Sequence, residues 1–522
     1  MIEESIDEFN ELKDLTRKLV DQFAKKPIIN KKCVDDLFKI GSADLSWVYS
    51  GFFFPNTIPH QINLFNNLNS KKEIGLTTKI KCNIWLFLLR TYLRINESIK
   101  IKRAQKITSF SKNAKALFLT FTNHVSPDNK VYRTQRVIDE LKTKSSIEPL
   151  VLYADPLSRR SYSFLSSVKS LNGYYDKKIA KEASSLSNKL FKKYKSIPES
   201  TKIKLMEFSN ISYWKYYKYA FNLYFSKEFL YFTFLYYFTF QKIFRKENVQ
   251  AIVFTGSISL HEKCIMAAAK KTGIPMVYIP HGIYVTLQKL IVPTHICVSS
   301  KLMSKTLSKK EIRNHHLVNT GSVTLDEIFP FIRPKQKSGK NVLIATSPFF
   351  DDNFFSKHAY IKKIEKIISD IQKWEGVKIV FKLHPRDTLL KEYQNLKKKH
   401  IELSIKLFDG NISRHEYYHL INECDCFIQF GSATVFEALI IGRPVVTIRM
   451  IDSDALTGWL EKDKITFVTN YKQDVLLTVN KAIKENYKLK KRISKCMNLH
   501  HGTIDGKASK RVVNLIKSVV KN

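Results

Sequence analysis

Short apolar stretches recur along the second half of the chain, and each is followed by residues that favour loops. Ile379–Leu383 precedes His384-Pro385, and Phe427–Phe430 precedes Gly431-Ser432. The segments between these stretches have the three- and four-residue apolar spacing of helices. Apolar runs that alternate with helical segments are typical of buried parallel strands in an α/β sheet.

The same alternation begins at Ala114, so the pattern predicts two series of strands and helices. A linker rich in Pro, Lys and Gly, Arg333–Lys340, separates them, and the first series contains a long Lys- and Tyr-rich helical insertion. Residues before 114 lack the alternation and are predicted to be mostly helical. We therefore expect four parts: a helical extension (1–113), a first α/β domain (114–332), a second α/β domain (341–506) and a C-terminal helix that crosses back (507–522).

The loops after the predicted strands of the second domain form a candidate phosphate site. In open α/β sheets, ligands bind beyond the carboxyl ends of the strands, which is where His384, Ser432 and Thr434 lie. A helix is predicted to start near Thr434, and the N–H groups at its amino end suit a phosphate. Glu437, on the first turn, is placed to reach a ribose hydroxyl. The segment predicts a nucleotide-diphosphate site.

Three motifs together resemble those of the GT-B glycosyltransferases of surface-polymer synthesis. The likeness is to CDP-glycerol glycerophosphotransferases and to capsular polysialyl- and Kdo-transferases, and it covers residues 114–448. The motifs are Ile279-Pro280-His281-Gly282, Leu383-His384-Pro385 and Gly431-Ser432-Ala433-Thr434. The resemblance implies a GT-B fold, in which two Rossmann-like doubly wound domains face each other across a cleft.

The resemblance also implies roles for individual residues. His281 matches the catalytic base, and His384 with Pro385 matches the motif that binds the donor phosphate. Gly431, Ser432 and Thr434 match the phosphate loop. The string 431–446 also resembles UDP-sugar transferases and UDP-sugar 2-epimerases, in which a Glu at the place of Glu437 holds the ribose. The nucleotide of the donor stays open between CMP, CDP and UDP.

Other residues of the first domain are predicted to border the same cleft. His124 and Asp128, on the first strand-to-helix loop, are rival candidates for the catalytic base. His261 and Glu262 open a helix, so they either contact an acceptor or cap that helix. Gly321 and Ser322, before the linker, are placed to approach the donor.

The charge of the chain adds a candidate partner. With 87 Lys and Arg against 47 Asp and Glu, the formal net charge is +40, which implies a polyanionic neighbour or a Lys-rich compositional bias. No nucleic-acid-binding motif accompanies the charge, so an anionic membrane surface or an acidic polymer is favoured over a nucleic acid. Two apolar aromatic segments, Ile84–Leu93 and Phe229–Phe240, suit either buried core helices or interfacial helices. We favour buried core helices for both.

Cysteine content and the absence of an apolar leader at the start of the sequence predict a cytosolic protein. The seven cysteines are scattered and no zinc-ligand set is complete. No D-x-D motif follows a predicted strand, so we expect neither a metal nor a cofactor. The sequence thus predicts a glycosyltransferase, peripheral on the inner face of the membrane, that acts on a polysaccharide or lipid-linked acceptor. The alternatives are a UDP-sugar 2-epimerase, which needs no acceptor, and a basic nucleic-acid-binding protein.

Overall fold

The computed structural model describes most of the chain after residue 111. The described residues are 112–121, 131, 133–154, 168–208, 211, 212, 214, 218, 221, 222, 224–256, 259–280, 293–308, 317–332, 339–351, 354–410, 412–432, 434–451 and 457–521, together with residue 91 and four short strands between 27 and 44. These four strands form two antiparallel pairs, Pro27–Ile29 with Lys32–Cys33 and Lys39–Ile40 with Ala43–Asp44. They fall inside the predicted helical extension and correct that prediction at these positions, because pairs of extended segments a few residues apart can close locally. The rest of the extension lies outside the described residues, apart from Thr91.

The first domain contains a seven-stranded sheet in which every pair of neighbours is parallel. Its strands are β1 Lys115–Thr120, β2 Glu148–Tyr153, β3 Val168–Ser170, β4 Val249–Phe254, β5 Met276–Tyr278, β6 His295–Val298 and β7 Leu317–Asn319. Their order in the sheet is β3-β2-β1-β4-β5-β6-β7. The first six follow the order of a dinucleotide-binding doubly wound sheet.

The helices of the first domain cover both faces of this sheet. They are α1 Gln135–Lys144, α2 Lys177–Lys195, α3 Glu199–Leu205, α4 Lys227–Lys246, α5 Leu260–Thr272 and α6 Lys301–Ser308. Successive strand side chains point to opposite faces, so Leu117 and Ile252 pack with α2, α4 and α5. Phe118 and Val253 pack on the other face, together with α1.

The second domain contains a six-stranded parallel sheet of the same design. Its strands are β8 Asn341–Ala345, β9 Lys378–Lys382, β10 Ser404–Phe408, β11 Cys426–Gln429, β12 Val445–Arg449 and β13 Phe467–Asn470, in the order β10-β9-β8-β11-β12-β13. Its helices are α7 Lys357–Ile371, α8 Leu390–Lys399, α9 Arg414–Glu423, α10 Val435–Ile441, α11 Gly458–Asp463 and α12 Val475–His501. Two Rossmann-like sheets with helices on both faces confirm the predicted fold class.

The last helix, α13 Ala508–Lys521, lies against the first domain. Val512 and Ile516 are fully buried beside α1, in the cluster that covers one face of the first sheet. The carboxylate of Asp326 accepts hydrogen bonds from the backbone N–H groups of Ala508 and Ser509, at 3.0 and 2.6 Å. This cap satisfies donors that would otherwise be unpaired at the start of a buried helix.

The apolar segment Phe229–Phe240 is a core helix, as predicted. It lies within α4, and Leu230, Phe234 and Phe240 are at most 1% exposed. The segment is apolar around its circumference because α2 and α5 pack against it in addition to the sheet. None of the helices in the described parts of the chain is long and apolar enough to cross a membrane. The other apolar segment, Ile84–Leu93, lies outside the described residues except for Thr91.

A buried carboxylate, Glu247, ties α4 to the first sheet. It accepts hydrogen bonds from Lys115 Nζ (2.6 Å), Lys169 Nζ (2.8 Å) and the Tyr174 hydroxyl (2.6 Å), and the residue is 2% exposed. Burial alone would raise the pKa of this carboxyl group, but the three donors together lower it to about 2. The charged form is therefore stabilised by folding.

Replacing Glu247 with Gln should destabilise the protein near neutral pH but not in acid. A carboxyl group whose pKa falls from 4.5 to about 2 on folding contributes about 3 kcal/mol above pH 4.5, and this contribution disappears as the pH falls towards 2. The difference in urea-unfolding free energy between wild type and Glu247→Gln should shrink over that pH range. Glu182→Gln, on the exposed side of α2, is the control. A difference that does not change with pH would contradict the ion-pair interpretation.

Candidate functional site

The strand order of the second sheet locates a crevice. β8 pairs with both β9 and β11. The chain runs from β8 through β9 to β10 on one side and then returns to β11 on the other side of β8, so the strand order reverses between β8 and β11. In doubly wound sheets the ligand crevice lies at such a switch, outside the carboxyl ends of the strands. The residues that follow β8, β9 and β11 here are Thr346, His384 and Gly431-Ser432. The sheet therefore brings the predicted phosphate residues to one edge.

His384 is held by two backbone contacts at the end of β9. Its backbone N–H donates to Thr346 Oγ1 (2.9 Å), and its ring Nδ1 accepts from the Arg386 N–H (3.1 Å). A neutral imidazole has one donor nitrogen and one acceptor nitrogen. Because Nδ1 is the acceptor, Nε2 carries the proton. His384 can therefore serve as a donor to an anion without a change in its protonation state.

A polar network that the sequence analysis did not predict fixes the loop around His384. The Thr346 hydroxyl donates to Asp387 Oδ2 (2.8 Å), and both the N–H and the hydroxyl of Thr388 donate to Asp351. Burial raises the pKa of Asp387, and the negative charge of Asp351 adds to this effect. A Thr-Ser pair after a strand and an Asp three residues after the His are weak signals on their own.

Gly410 lies so close to the His384-Pro385 peptide that no side chain fits between them. A Cβ at this position would be 2.3 Å from Pro385 Cα and 2.7 Å from the His384 carbonyl oxygen. Both are backbone atoms, which cannot move aside as a flexible side chain can. Gly410 follows β10, which is an edge strand of the sheet. The position of this strand therefore places Gly410 against the loop that contains His384.

A buried glutamine, Gln429, holds the loop after β11 in place. Gln429 Oε1 accepts from the N–H groups of Gly431 and Ser432, the latter at 2.8 Å, and Gln429 Nε2 donates to Thr447 Oγ1 (2.6 Å). Gln429 is 0% exposed, and Gly431 has a φ of +106°, which favours glycine. The N–H groups of Gly431 and Ser432 are therefore already paired within the protein.

N–H groups at the start of α10 are also hydrogen-bonded within the protein. The N–H groups of Val435 and Glu437 donate to the carbonyls of Ser432 and Thr434, at 3.2 and 3.1 Å. The Thr434 hydroxyl donates to Ser432 Oγ (3.1 Å), which leaves the Ser432 hydroxyl hydrogen without an acceptor among the described residues. This hydroxyl is a better candidate for a phosphate contact than the amide groups are.

Glu437 is oriented by an ion pair. Its Oε1 accepts from Arg414 Nη2 (2.5 Å) and lies 3.4 Å from the Tyr418 hydroxyl. Burial raises the pKa of Glu437, and the positive charges of Arg414 and Lys382 oppose this effect. Its second oxygen, Oε2, makes no hydrogen bond with a described residue. A ribose hydroxyl, if bound here, would therefore meet Oε2 of a carboxylate that is already fixed in place.

Lys382 is a second charged group at this site that the sequence analysis did not single out. Its ammonium group lies 5.4 Å from the centre of the Tyr417 ring. Burial lowers its pKa to about 8, although Glu437 and Asp409 favour the charged form. A lysine at the end of a strand is ordinarily a solvated residue, so the sequence alone gives no signal for this environment.

The first-domain candidates fall into two groups. His281, His124 and Asp128 lie outside the described residues. His261 is 3% exposed, with its ring centre 4.1 Å from that of Tyr236, and Glu262 forms a capping box with Ser259. The structure therefore has Glu262 in the capping arrangement, and the burial of His261 among aromatic rings argues against contact with an acceptor.

Gly321 and Ser322 lie near the end of the first domain, where Gly321 is close to the crossing helix α13. Gly321 has a φ of +77°, and a Cβ there would lie 2.9 Å from Arg511 Nη2 on α13. The Ser322 hydroxyl is 3.0 Å from that of Thr324. Neither contact involves the strand ends of the second sheet, so the approach to the donor stays a prediction.

One group of described residues has the composition of a metal site. Asp463, Cys496 and His500 bring potential ligand atoms within 4.8 Å of one another. Asp463 Oδ2 is 3.2 Å from His500 Nε2 and 3.4 Å from Cys496 Sγ. Both distances suit hydrogen bonds to the carboxylate, and burial with the nearby Asp463 raises the pKa of the Cys496 thiol to about 12. Hydrogen bonding accounts for the arrangement without a metal.

Comparison with known proteins identifies the second domain as similar to a sugar-nucleotide enzyme family. The model of the UDP-N-acetylglucosamine 2-epimerase family matches residues 291–517. A comparison with curated proteins gives no match. The matched segment includes every strand of the second sheet and the residues of the candidate site.

Several solved structures are similar to this chain over most of its length. MnaA of S. aureus, solved with UDP, is 15% identical, with a TM-score of 0.46 over 78% of this chain and 97% of its own. The UDP-GlcNAc 2-epimerase of Neisseria meningitidis, bound to UDP-GlcNAc, is 12% identical, with a TM-score of 0.47 over 78% and 100%. MurG of Acinetobacter baumannii is 13% identical, with a TM-score of 0.42 over 78% and 99%. At these levels of similarity the structures carry no functional argument.

The family match overturns the glycosyltransferase prediction. Two of the three motifs that suggested it, at His384 and at Gly431–Thr434, lie within the segment that matches the 2-epimerase model. The prediction is wrong because it rested on a phosphate loop and a ribose carboxylate. Such residues indicate how a nucleotide is bound, but they do not determine which reaction the enzyme catalyses. The findings favour the 2-epimerase alternative, and with it UDP rather than CMP or CDP.

Proposed function

We propose that this protein is a UDP-sugar 2-epimerase-like enzyme whose second domain holds the UDP part of its substrate. The observation that carries the proposal is the match of residues 291–517 to the 2-epimerase family model. Within that segment, His384, Ser432 and Glu437 lie at or just beyond the strand ends beside the switch point. His384 Nε2 and the Ser432 hydroxyl are the donors for the diphosphate, and Glu437 Oε2 is the acceptor for a ribose hydroxyl.

The substrate that the family description names is UDP-N-acetylglucosamine, and we propose that the chemistry takes place at C2 of its sugar. Because C2 is not next to a carbonyl group, its proton leaves only as the C1–O bond to UDP breaks, which gives a C1=C2 double bond and free UDP. Inversion follows when a proton returns to the other face of C2 and UDP re-forms the C1–O bond. One group must therefore accept a proton and another must return one, with no net oxidation and no acceptor molecule. His281, His124 and Asp128, which the sequence predicts to lie on loops of the first domain, are the groups proposed for these steps.

Incubation with UDP-N-acetylglucosamine alone in deuterated water tests this function. We expect its C2 epimer, UDP-N-acetylmannosamine, to appear in the proton NMR spectrum, with deuterium at C2 of both sugars. Thermal stabilisation by UDP, measured separately, reports whether the nucleotide site is intact. Stabilisation by UDP without epimer formation or deuterium exchange would contradict the 2-epimerase proposal while leaving the nucleotide site in place.

We also propose that the protein works in the cytoplasm at an anionic surface. The support is the formal net charge of +40, which draws the protein towards polyanions at low ionic strength. Because 2-epimerisation requires no acceptor, this surface need not be the site of the chemistry.

A further inference from the structure

A dense group of basic residues lies on the solvent face of α12. Residues 481–495 contain seven Lys and Arg side chains, all of them exposed, and a single carboxylate, Glu485. Lys484, Lys488, Lys491 and Lys495 repeat at intervals of three and four residues, so they form one stripe along the helix. Lys488 is 3.3 Å from Glu485, and that is the only ion pair within this segment.

Apolar side chains are exposed on the same face of α12. Tyr487 is 72% exposed, Leu477 is 69% exposed and Ile483 is 37% exposed. Ile483 and Tyr487 are one helical turn apart and lie beside the lysine stripe. The opposite face of the helix is buried, with Val475, Val479 and Ala482 at 0% exposure in the core. The exposed apolar residues therefore do not serve the packing of the second domain.

A second helix has a similar charge but lacks these apolar residues. α2 carries seven lysines and one carboxylate, Glu182, and its lysines at 181, 189, 192 and 193 are exposed. None of its large apolar side chains is among the exposed ones. A comparison of the two helices therefore distinguishes the effect of positive charge alone, on α2, from the effect of positive charge combined with exposed apolar side chains, on α12.

We propose that the exposed face of α12 docks the protein on an anionic lipid bilayer. Lysines attract acidic headgroups, while Tyr487, Ile483 and Leu477 insert at the boundary between the headgroups and the acyl chains. α4 cannot fill this role, because most of its aromatic side chains are buried in the first domain and the others pack against the same core. An acidic polymer would use the lysines but would gain little from the apolar residues. The inference is independent of the reaction proposed above.

Co-sedimentation of the full chain with lipid vesicles tests the proposal. One variant replaces Lys484, Lys488, Lys491 and Lys495 with Gln, and its matched control replaces the four exposed α2 lysines, Lys181, Lys189, Lys192 and Lys193, with Gln. Each variant loses four positive charges. A lysine near an anionic surface changes binding by about fivefold, so the α12 variant should bind phosphatidylglycerol vesicles several hundredfold more weakly. The α2 control should bind nearly as well as wild type, and phosphatidylcholine vesicles should bind none of them.

A third variant, Ile483→Ser with Tyr487→Ser, distinguishes a bilayer from a soluble polyanion. It keeps all charges, and it should weaken vesicle binding by at least about tenfold while leaving binding to heparin unchanged. Equal losses for the α12 and α2 variants would show that only the bulk charge matters and would overturn the proposal. Unchanged vesicle binding by the Ile483/Tyr487 variant would also overturn it, in favour of an acidic polymer. Circular dichroism and stabilisation by UDP show whether each variant is folded.

Discussion

Gly410→Ala should lower the affinity for UDP by about tenfold or more, to the level of His384→Ala, in a protein that still folds. The added Cβ would lie 2.3 Å from Pro385 Cα and 2.6 Å from Pro385 N, so the His384-Pro385 peptide must move. His384 would then lose its alignment with the phosphate. A charge-assisted hydrogen bond contributes about 1.5–3 kcal/mol, which corresponds to a change of about 10- to 150-fold in affinity. Isothermal titration with UDP measures this loss.

Gly339→Ala is the matched control for this substitution. It makes the same change just before the first strand of the second domain, but its Cβ would meet only the ends of the Asn341 and Asp425 side chains, at 3.2 and 3.4 Å. We expect its affinity for UDP to be close to that of the wild type. If Gly410→Ala binds UDP as tightly as Gly339→Ala while His384→Ala does not, the glycine does not position the histidine. If His384→Ala also binds normally, the phosphate site lies elsewhere.

The central strands could be predicted from the sequence because burial on both faces gives them continuous apolar runs. β9 and β11 each end one residue before their predicted boundaries, Leu383 and Phe430. β3, β10 and β13 were not predicted. They lie at or near sheet edges, and β10 alternates between buried and exposed side chains, so its sequence, SIKLF, lacks a continuous apolar run.

The residues that shape the site could not be found from the sequence because their roles depend on distant contacts. Gly410 is important only because β10 places it against Pro385. Gln429 in a strand resembles any polar strand residue until its side chain is seen to bond the Gly431 and Ser432 amides. Ser432 and Glu437, by contrast, follow a strand at a spacing that already indicates a ligand edge.

The wrong prediction of a glycosyltransferase has the same physical origin. His384, Ser432 and Glu437 are proposed to bind a nucleotide diphosphate. Such binding is compatible with both group transfer and epimerisation. The reaction is decided by the groups that face the sugar, which the sequence analysis places on the loops around His124 and His281. The second domain therefore predicts the ligand class better than it predicts the chemistry.

His281→Ala should reduce turnover by about 10²–10⁴-fold while leaving the affinity for UDP nearly unchanged. His281 follows β5, whose neighbour β4 borders the switch point of the first sheet, so the sequence places it at the carboxyl edge of that sheet. A positioned acid or base typically contributes a factor of this size. Because the proposed UDP site lies in the second domain, the loss should fall on kcat rather than on nucleotide binding.

The rate of deuterium incorporation at C2 of the sugar is the measurement that isolates the proton-transfer step. Wild type, His281→Ala, His124→Ala and Asp128→Ala are compared at saturating UDP-N-acetylglucosamine, with UDP affinity measured on the same samples. Loss of exchange in His281→Ala alone would assign the step to the loop after β5. If Asp128→Ala or His124→Ala abolishes exchange while His281→Ala retains it, the proton acceptor belongs to the loop at 122–130 and the assignment of His281 is wrong.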